Sequence, residues 1–92
     1  MYIDMNSLHG MAIRLGASDF GESSRKGKRF YVVFQDKVIH FGSDVGLTYY
    51  DVNDETRRRA WFARHTRITD RHGKHSINNP LSGLYWSARL LW

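Results

Sequence analysis

Positions 29–41 read RFYVVFQDKVIHF, two runs of β-branched and aromatic residues either side of the polar Gln35, Asp36 and Lys37. Such side chains suit a pleated surface, and two runs around a short polar stretch predict a β-hairpin. Alternation places Phe30, Val32 and Phe34 on one face and Tyr31 and Val33 on the other. With both faces apolar, the hairpin needs cover on two sides or a further strand beside it. The segment 47–50, Leu-Thr-Tyr-Tyr, is the expected third strand, after a Gly/Ser/Asp turn at 42–46.

From Asp51 the pattern changes to a helical one. Asp51 or Asn53 is the expected N-cap, with Asp54 and Glu55 in a first turn that favours negative charge. Trp61, His65 and Ile68 then recur at i, i+4 and i+7, an apolar stripe suited to docking on a sheet. The helix should fade before the polar stretch 70–74. Asn78, Asn79 and Pro80 form a turn, with Pro80 expected as the first residue of a second helix. That helix carries apolar residues at 84, 88 and 91 and again at 85, 86 and 92. The expected fold class is α+β: a small antiparallel hairpin or three-stranded sheet packed by two helices.

Ahead of the hairpin, Leu8, Met11, Ala12 and Leu15 have weak helical spacing closed by Gly16, and a Gly/Ser-rich polar stretch follows. This is linker composition. Residues 1–28 are therefore expected to be an extended N-terminal arm, and residues 29–92 the single folded domain.

Charge adds a candidate site. Among 92 residues, 14 Lys and Arg face 9 Asp and Glu, a formal charge of +5, which favours nucleic acid, an acidic surface or an acidic protein as partner. Most of the excess lies in one band: Arg57, Arg58, Arg59, Arg64, Arg67, Arg71 and Lys74. Arg forms bidentate contacts with phosphate or carboxylate, so the band suits a polyanion or an acidic protein. A solvated helix face paired with Asp51, Asp54 and Glu55 is the structural alternative. Tyr31, Tyr49 and Tyr50 are candidates for base stacking, set against a role in packing beneath the helices.

Other chemistry is poorly supplied. His65, His72 and His75 lie close to Asp70, but their H-x6-H-x2-H spacing fits no standard metal site and there is no Cys. The expectation is no metal and no cofactor. His40 is read as a half-buried strand residue, and His65 as a helix-face residue hydrogen-bonded to a turn. No paired carboxylates, nucleophile elbow or phosphate loop is present, so catalysis is not expected. No apolar run approaches the roughly 20 residues of a membrane span, and the N-terminus lacks a signal-peptide pattern. A soluble intracellular protein, or one held in an assembly formed inside a cell, with no membrane partner, is the expectation.

Five segments occur together in order: Lys28–Phe34, Ile39 to Gly42, the Arg-rich stretch ending in Ala63, Arg64 and His65, the Asn79 and Pro80 pair, and the end WSARLLW. The set resembles a family of small uncharacterised proteins encoded by large double-stranded DNA viruses and tailed phages. The resemblance brings no catalytic residues with it. It implies a viral source and a place in the virion or in handling the genome. The expected function is a minor structural protein of the particle (cement, adaptor or head-associated), bridging capsid, portal or tail proteins through its arm and basic helix. A nucleic-acid-binding accessory protein acting during infection is the second expectation.

Overall fold

The computed structural model of the protein describes residues 4–43 and 48–92, together with the backbone but not the side chain of Tyr50. In chain order it contains α1 (Met5–Arg14), β1 (Asp19–Glu22), β2 (Lys28–Phe34), β3 (Lys37–Ser43), α2 (Tyr49–Val52), α3 (Glu55–His65), a 3-10 turn (Ser76–Asn78) and α4 (Gly83–Leu90). The three strands form one antiparallel sheet in the order β1-β2-β3. The α+β class holds.

The hairpin forms where the alternation places it, with Phe30 opposite Phe41, Val32 opposite Ile39 and Phe34 opposite Lys37. Its loop is only Gln35 and Asp36, at φ 51° and 62°. Two residues at positive φ match the right-handed twist of the strands, although neither is the Gly or Asn that such turns favour.

The third strand comes from the opposite end of the chain to the one expected. Tyr49–Val52 is a short helix, and Leu47 lies outside the described residues. The local cause is Asp51, which accepts hydrogen bonds from the Thr48 backbone N–H and hydroxyl, each at 2.8 Å, and curls the segment into a turn. The third strand is β1, paired from Asp19 opposite Val33 to Glu22 opposite Phe30.

The expected arm is therefore part of the folded body. Asp4 caps α1 by accepting from the backbone N–H groups of Asn6 and Ser7, and Leu8, Ala12, Ala17 and Phe20 are buried in the core. Residues 16–28 look like linker because β1 sends only a few apolar side chains inward; Ser18, Asp19 and Glu22 face solvent.

One face of the sheet carries Phe20, Phe30, Val32, Ile39 and Phe41, which α1 and α4 cover through Leu8, Ala12, Trp86, Leu90 and Leu91. Phe20, Phe30 and Phe41 meet at ring separations of 5.4 to 6.5 Å. Trp86 is fully buried against the edge of Phe34, and its indole N–H donates to the Pro80 carbonyl at 2.8 Å. Pro80 thus precedes α4 and does not start it; Ser82 is the cap, accepting from the Leu84 N–H. Gly83 lets α4 approach β3 closely, since a Cβ there would sit 2.8 Å from the His40 carbonyl oxygen. The other sheet face, with Tyr31 and Val38, is not covered as its apolar pattern suggested: Val38 is 58% exposed.

α3 does not dock through the Trp61, His65 and Ile68 stripe. Its cap is Asp54, and neither Asp51 nor Asn53 serves; Asn53 closes α2 in the left-handed conformation. The helix ends at His65, so Ile68 falls beyond it and is exposed. Trp61 instead stacks on Trp92 at 5.0 Å, tying α3 to the chain just after α4.

Candidate functional site

On α3, Arg57, Trp61, Arg64 and His65 fall at i, i+4, i+7 and i+8, which brings them onto one face. That face forms one wall of a groove of about 520 Å³. The opposite wall is built from Lys28, His40 and Ser43 on β2 and β3, with Ser87 and Leu91 of α4 beneath. Three permanent cations, Lys28, Arg57 and Arg64, line the groove together with two imidazoles. Among the described residues, no Asp or Glu side chain lines it.

The cationic band divides under this geometry. Arg58 is committed to structure: its Nε donates to the Trp92 carbonyl at 2.7 Å, and its guanidinium lies over the rings of Phe62 and Tyr49. Arg59 pairs only loosely with Glu55 at 3.7 Å on an exposed surface, where such pairs contribute little. Arg57, Arg64, Arg67 and Lys74 are exposed and have no ion pair among the described residues. Arg71 is exposed as well and meets the ring of His72. Arg67, Arg71 and Lys74 lie beyond the helix and do not line the groove.

Of the acids expected to neutralise the band, Glu55 does pair with it, at 3.4 Å to Arg58 and 3.7 Å to Arg59, while Asp51 and Asp54 are occupied elsewhere. Asp54 caps α3, and Asp70 closes the following loop by accepting from the His72 and Lys74 N–H groups. Asp51, 4% exposed, takes both guanidinium nitrogens of Arg29 at 2.6 and 2.8 Å. The Arg29 hydrogen bonds hold the Asp51 carboxyl well below the usual carboxylate range, against the opposing effect of burial, and the Thr48 hydrogen bonds add to the lowering. The Asp51 hydrogen bond in turn raises Arg29 above its ordinary value. This pair fixes α2 to β2, and α2 leads into α3.

Three rings stack beside the groove in the order Trp92, Trp61 and His65. The His65 ring lies 4.2 Å from Trp61 at 14°, and Trp61 lies 5.0 Å from Trp92 at 11°. His65 Nδ1 contacts the Trp61 carbonyl at 2.7 Å, within its own helix and not at a turn as expected. A carbonyl only accepts, so Nδ1 carries the proton. His75 is held likewise, Nδ1 donating to the Thr66 carbonyl. Among the described residues, no group of three or more His, Asp and Glu side chains converges as a metal site.

Of the tyrosine candidates, Tyr31 and Tyr49 do not line the groove. Tyr31 packs across Gly21 on the outer sheet face and donates to Asp19 at 3.1 Å, an interaction that raises its pKa. Tyr49 lies beneath Arg58, and the Tyr50 side chain is outside the described residues. His40 is half-buried, as expected, with Nδ1 2.7 Å from the Ser23 hydroxyl. Sequence reasoning missed Lys28, His40 and Trp92 as partners of the band. The available signal was the basic turn Arg25, Lys26 and Lys28 at the start of β2, which the hairpin carries toward α3.

Residues 18–65 match a family of unknown function, DUF5754. The matched stretch runs from β1 through α3 and includes Lys28, His40, Arg57, Arg64 and His65. The chain is also similar to the uncharacterized protein L851 of Acanthamoeba polyphaga mimivirus, 33% identical over 75 residues that span 76% of this chain and 75% of that protein. No solved structure matches. By its residues 18–65 and by this relative in a large DNA virus, the chain belongs to the DUF5754 family.

Proposed function

We propose that this protein is a nucleic-acid-binding accessory protein acting during infection by a large DNA virus. The observation that carries the reading is the groove between β3 and α3, lined by Lys28, Arg57 and Arg64 without a carboxylate side chain among the described residues. Cations on facing walls, with no ion pair among the described residues, suit a phosphate chain passing between them, and phosphate contacts supply affinity without sequence choice. Arg67, Arg71 and Lys74 extend the positive surface beyond the groove.

The other expectation, a minor component of the particle that bridges larger proteins, drew on a free arm. With α1 and β1 built into the core, that support is withdrawn, and only the cations remain to serve an acidic protein partner. Fluorescence anisotropy with short labelled DNA and RNA strands tests the leading reading. Affinity should fall steeply as salt rises and should weaken in Arg57→Ala and Arg64→Ala. Absence of binding at low salt, with the protein found at fixed copy number in purified particles, would reverse the order of the two readings.

A further inference from the structure

Phosphate contacts alone do not distinguish a duplex from a single strand. The groove has a second component that does. Its α3 wall ends in a stack of three nearly parallel rings, and His65 is the last of them. Trp61, the middle ring, is 7% exposed and has both faces occupied. His65 is half-buried and lines the groove, and Trp61 is the one ring stacked on it among the described residues. Its Nδ1 bond to the Trp61 carbonyl fixes the ring plane, so the other face is held in a set orientation beside Arg64.

Size points the same way. A cavity of about 520 Å³ is on the scale of a small-molecule site, roughly 300–1,000 Å³, and a double helix is far larger. An unpaired base, unlike a stacked pair, is free to turn its π face to a side chain, and stacking is tolerant of sequence. Resting on the nucleic-acid reading above, we propose that the groove takes one splayed nucleotide of a single strand. Its base continues the Trp92, Trp61 and His65 stack, and its phosphates lie between Lys28 on the sheet and Arg57 and Arg64 on α3. The basic surface beyond the helix then carries the flanking backbone. His65 Nε2 is positioned to meet a polar edge of the nucleotide, as acceptor in the neutral ring.

The test uses the unmodified full-length protein first. Anisotropy compares a short labelled single strand, as DNA and as RNA, with the same strand annealed to its complement and with a strand bearing abasic sites. The single strand should bind more tightly than the duplex, and abasic substitution should weaken binding roughly tenfold, the scale of one lost base–aromatic stack. Tryptophan emission should change more with the normal strand than with the abasic one, because the added base extends the stack that holds Trp61, one ring beyond it. In His65→Ala the difference between normal and abasic strands should vanish; in His65→Phe, which restores a flat ring, it should persist. Thermal unfolding establishes that both variants are folded, and the abasic comparison requires neither. Normal, abasic and duplex forms binding alike would overturn the stacked-base proposal while leaving the phosphate reading intact. No binding of any form at low salt would end both.

Discussion

Two parts of the molecule use the same residue types differently. In the body formed by the sheet, α1 and α4, two arginines are tied into the fold: Arg29 clamps the buried Asp51, and Arg89 donates to the Ile77 carbonyl at 2.9 Å while lying 3.6 Å over the Tyr85 ring. In α3 and the loop after it, Arg58 alone is tied comparably into the fold, whereas Arg57, Arg64, Arg67 and Lys74 have no ion pair among the described residues. The body also buries a core of large apolar side chains, among them Leu8, Phe30, Phe41 and Trp86, while α3 buries one residue, Trp61. The first region has its charges arranged for stability, and the second holds charge that stability does not require. That surplus is what the proposed function uses.

The largest test of the contrast removes a body side chain. Trp86 is fully buried, fills the space between α4 and Phe34, and satisfies its N–H on Pro80. Trp86→Ala should cost about 3–5 kcal/mol by the loss of transfer energy and the cavity left behind. Urea denaturation followed by circular dichroism measures it. A change below about 1 kcal/mol would mean that the site collapses around the gap, contrary to a close-packed core.

Breaking the Arg29 and Asp51 clamp comes next. Asp51→Ala leaves a largely buried guanidinium without its partner, and about 3 kcal/mol is the expected loss. The pH dependence has a definite sign. Folding lowers the Asp51 pKa, so the clamp contributes fully above the unfolded carboxyl value of about 3.9 and is lost as pH falls below it toward the folded value. Native stability should decline in acid, and Asp51→Asn should flatten that part of the profile. An unchanged acid limb in Asp51→Asn would assign the decline to other carboxyls.

Arg58 tests whether α3 is attached as described. It is the one member of the band bonded to the chain beyond α4, so Arg58→Ala should destabilise by about 1.5 kcal/mol, the scale of a charge-assisted hydrogen bond. The loss should concentrate in α3, with amide exchange accelerating there and staying slow in β2. Equal acceleration in both would make α3 part of the same cooperative unit as the sheet.

The hairpin and α4 were legible because their side-chain periods are strong and local. Phe30, Val32, Ile39 and Phe41 alternate, and the end of the chain is apolar on a helical face. The N-terminal segment was not legible, because β1 gains its identity from pairing with β2, Asp19 with Val33 through Glu22 with Phe30, rather than from its own few apolar residues. Segment 49–52 has strand-like tyrosines, but Asp51 bonding to Thr48 and Arg29 overrides propensity. For the site, the band was visible as a run of arginines. What the run concealed was its division: spacing puts Arg57 and Arg64 on the groove side, while tertiary contacts withdraw Arg58. Lys28 and His40 join only through the hairpin fold.

The smallest expected change in stability is also the sharpest test of the comparison. Arg57→Ala combined with Arg64→Ala removes two exposed cations that make no ion pair among the described residues, so folding stability should move by no more than about 0.5 kcal/mol. Removing like charges from one helix face also removes their mutual repulsion, which keeps the change small. Binding should respond very differently. Each phosphate contact on a single strand contributes about 0.7 to the slope of log K against log salt, so losing two should reduce the slope by about 1.4. A titration of the double variant across several salt concentrations, beside a denaturation curve of the same sample, separates the two quantities. Stability lost with the slope unchanged would put these arginines with Arg29, as part of the fold; slope lost with stability unchanged puts them in the groove's function.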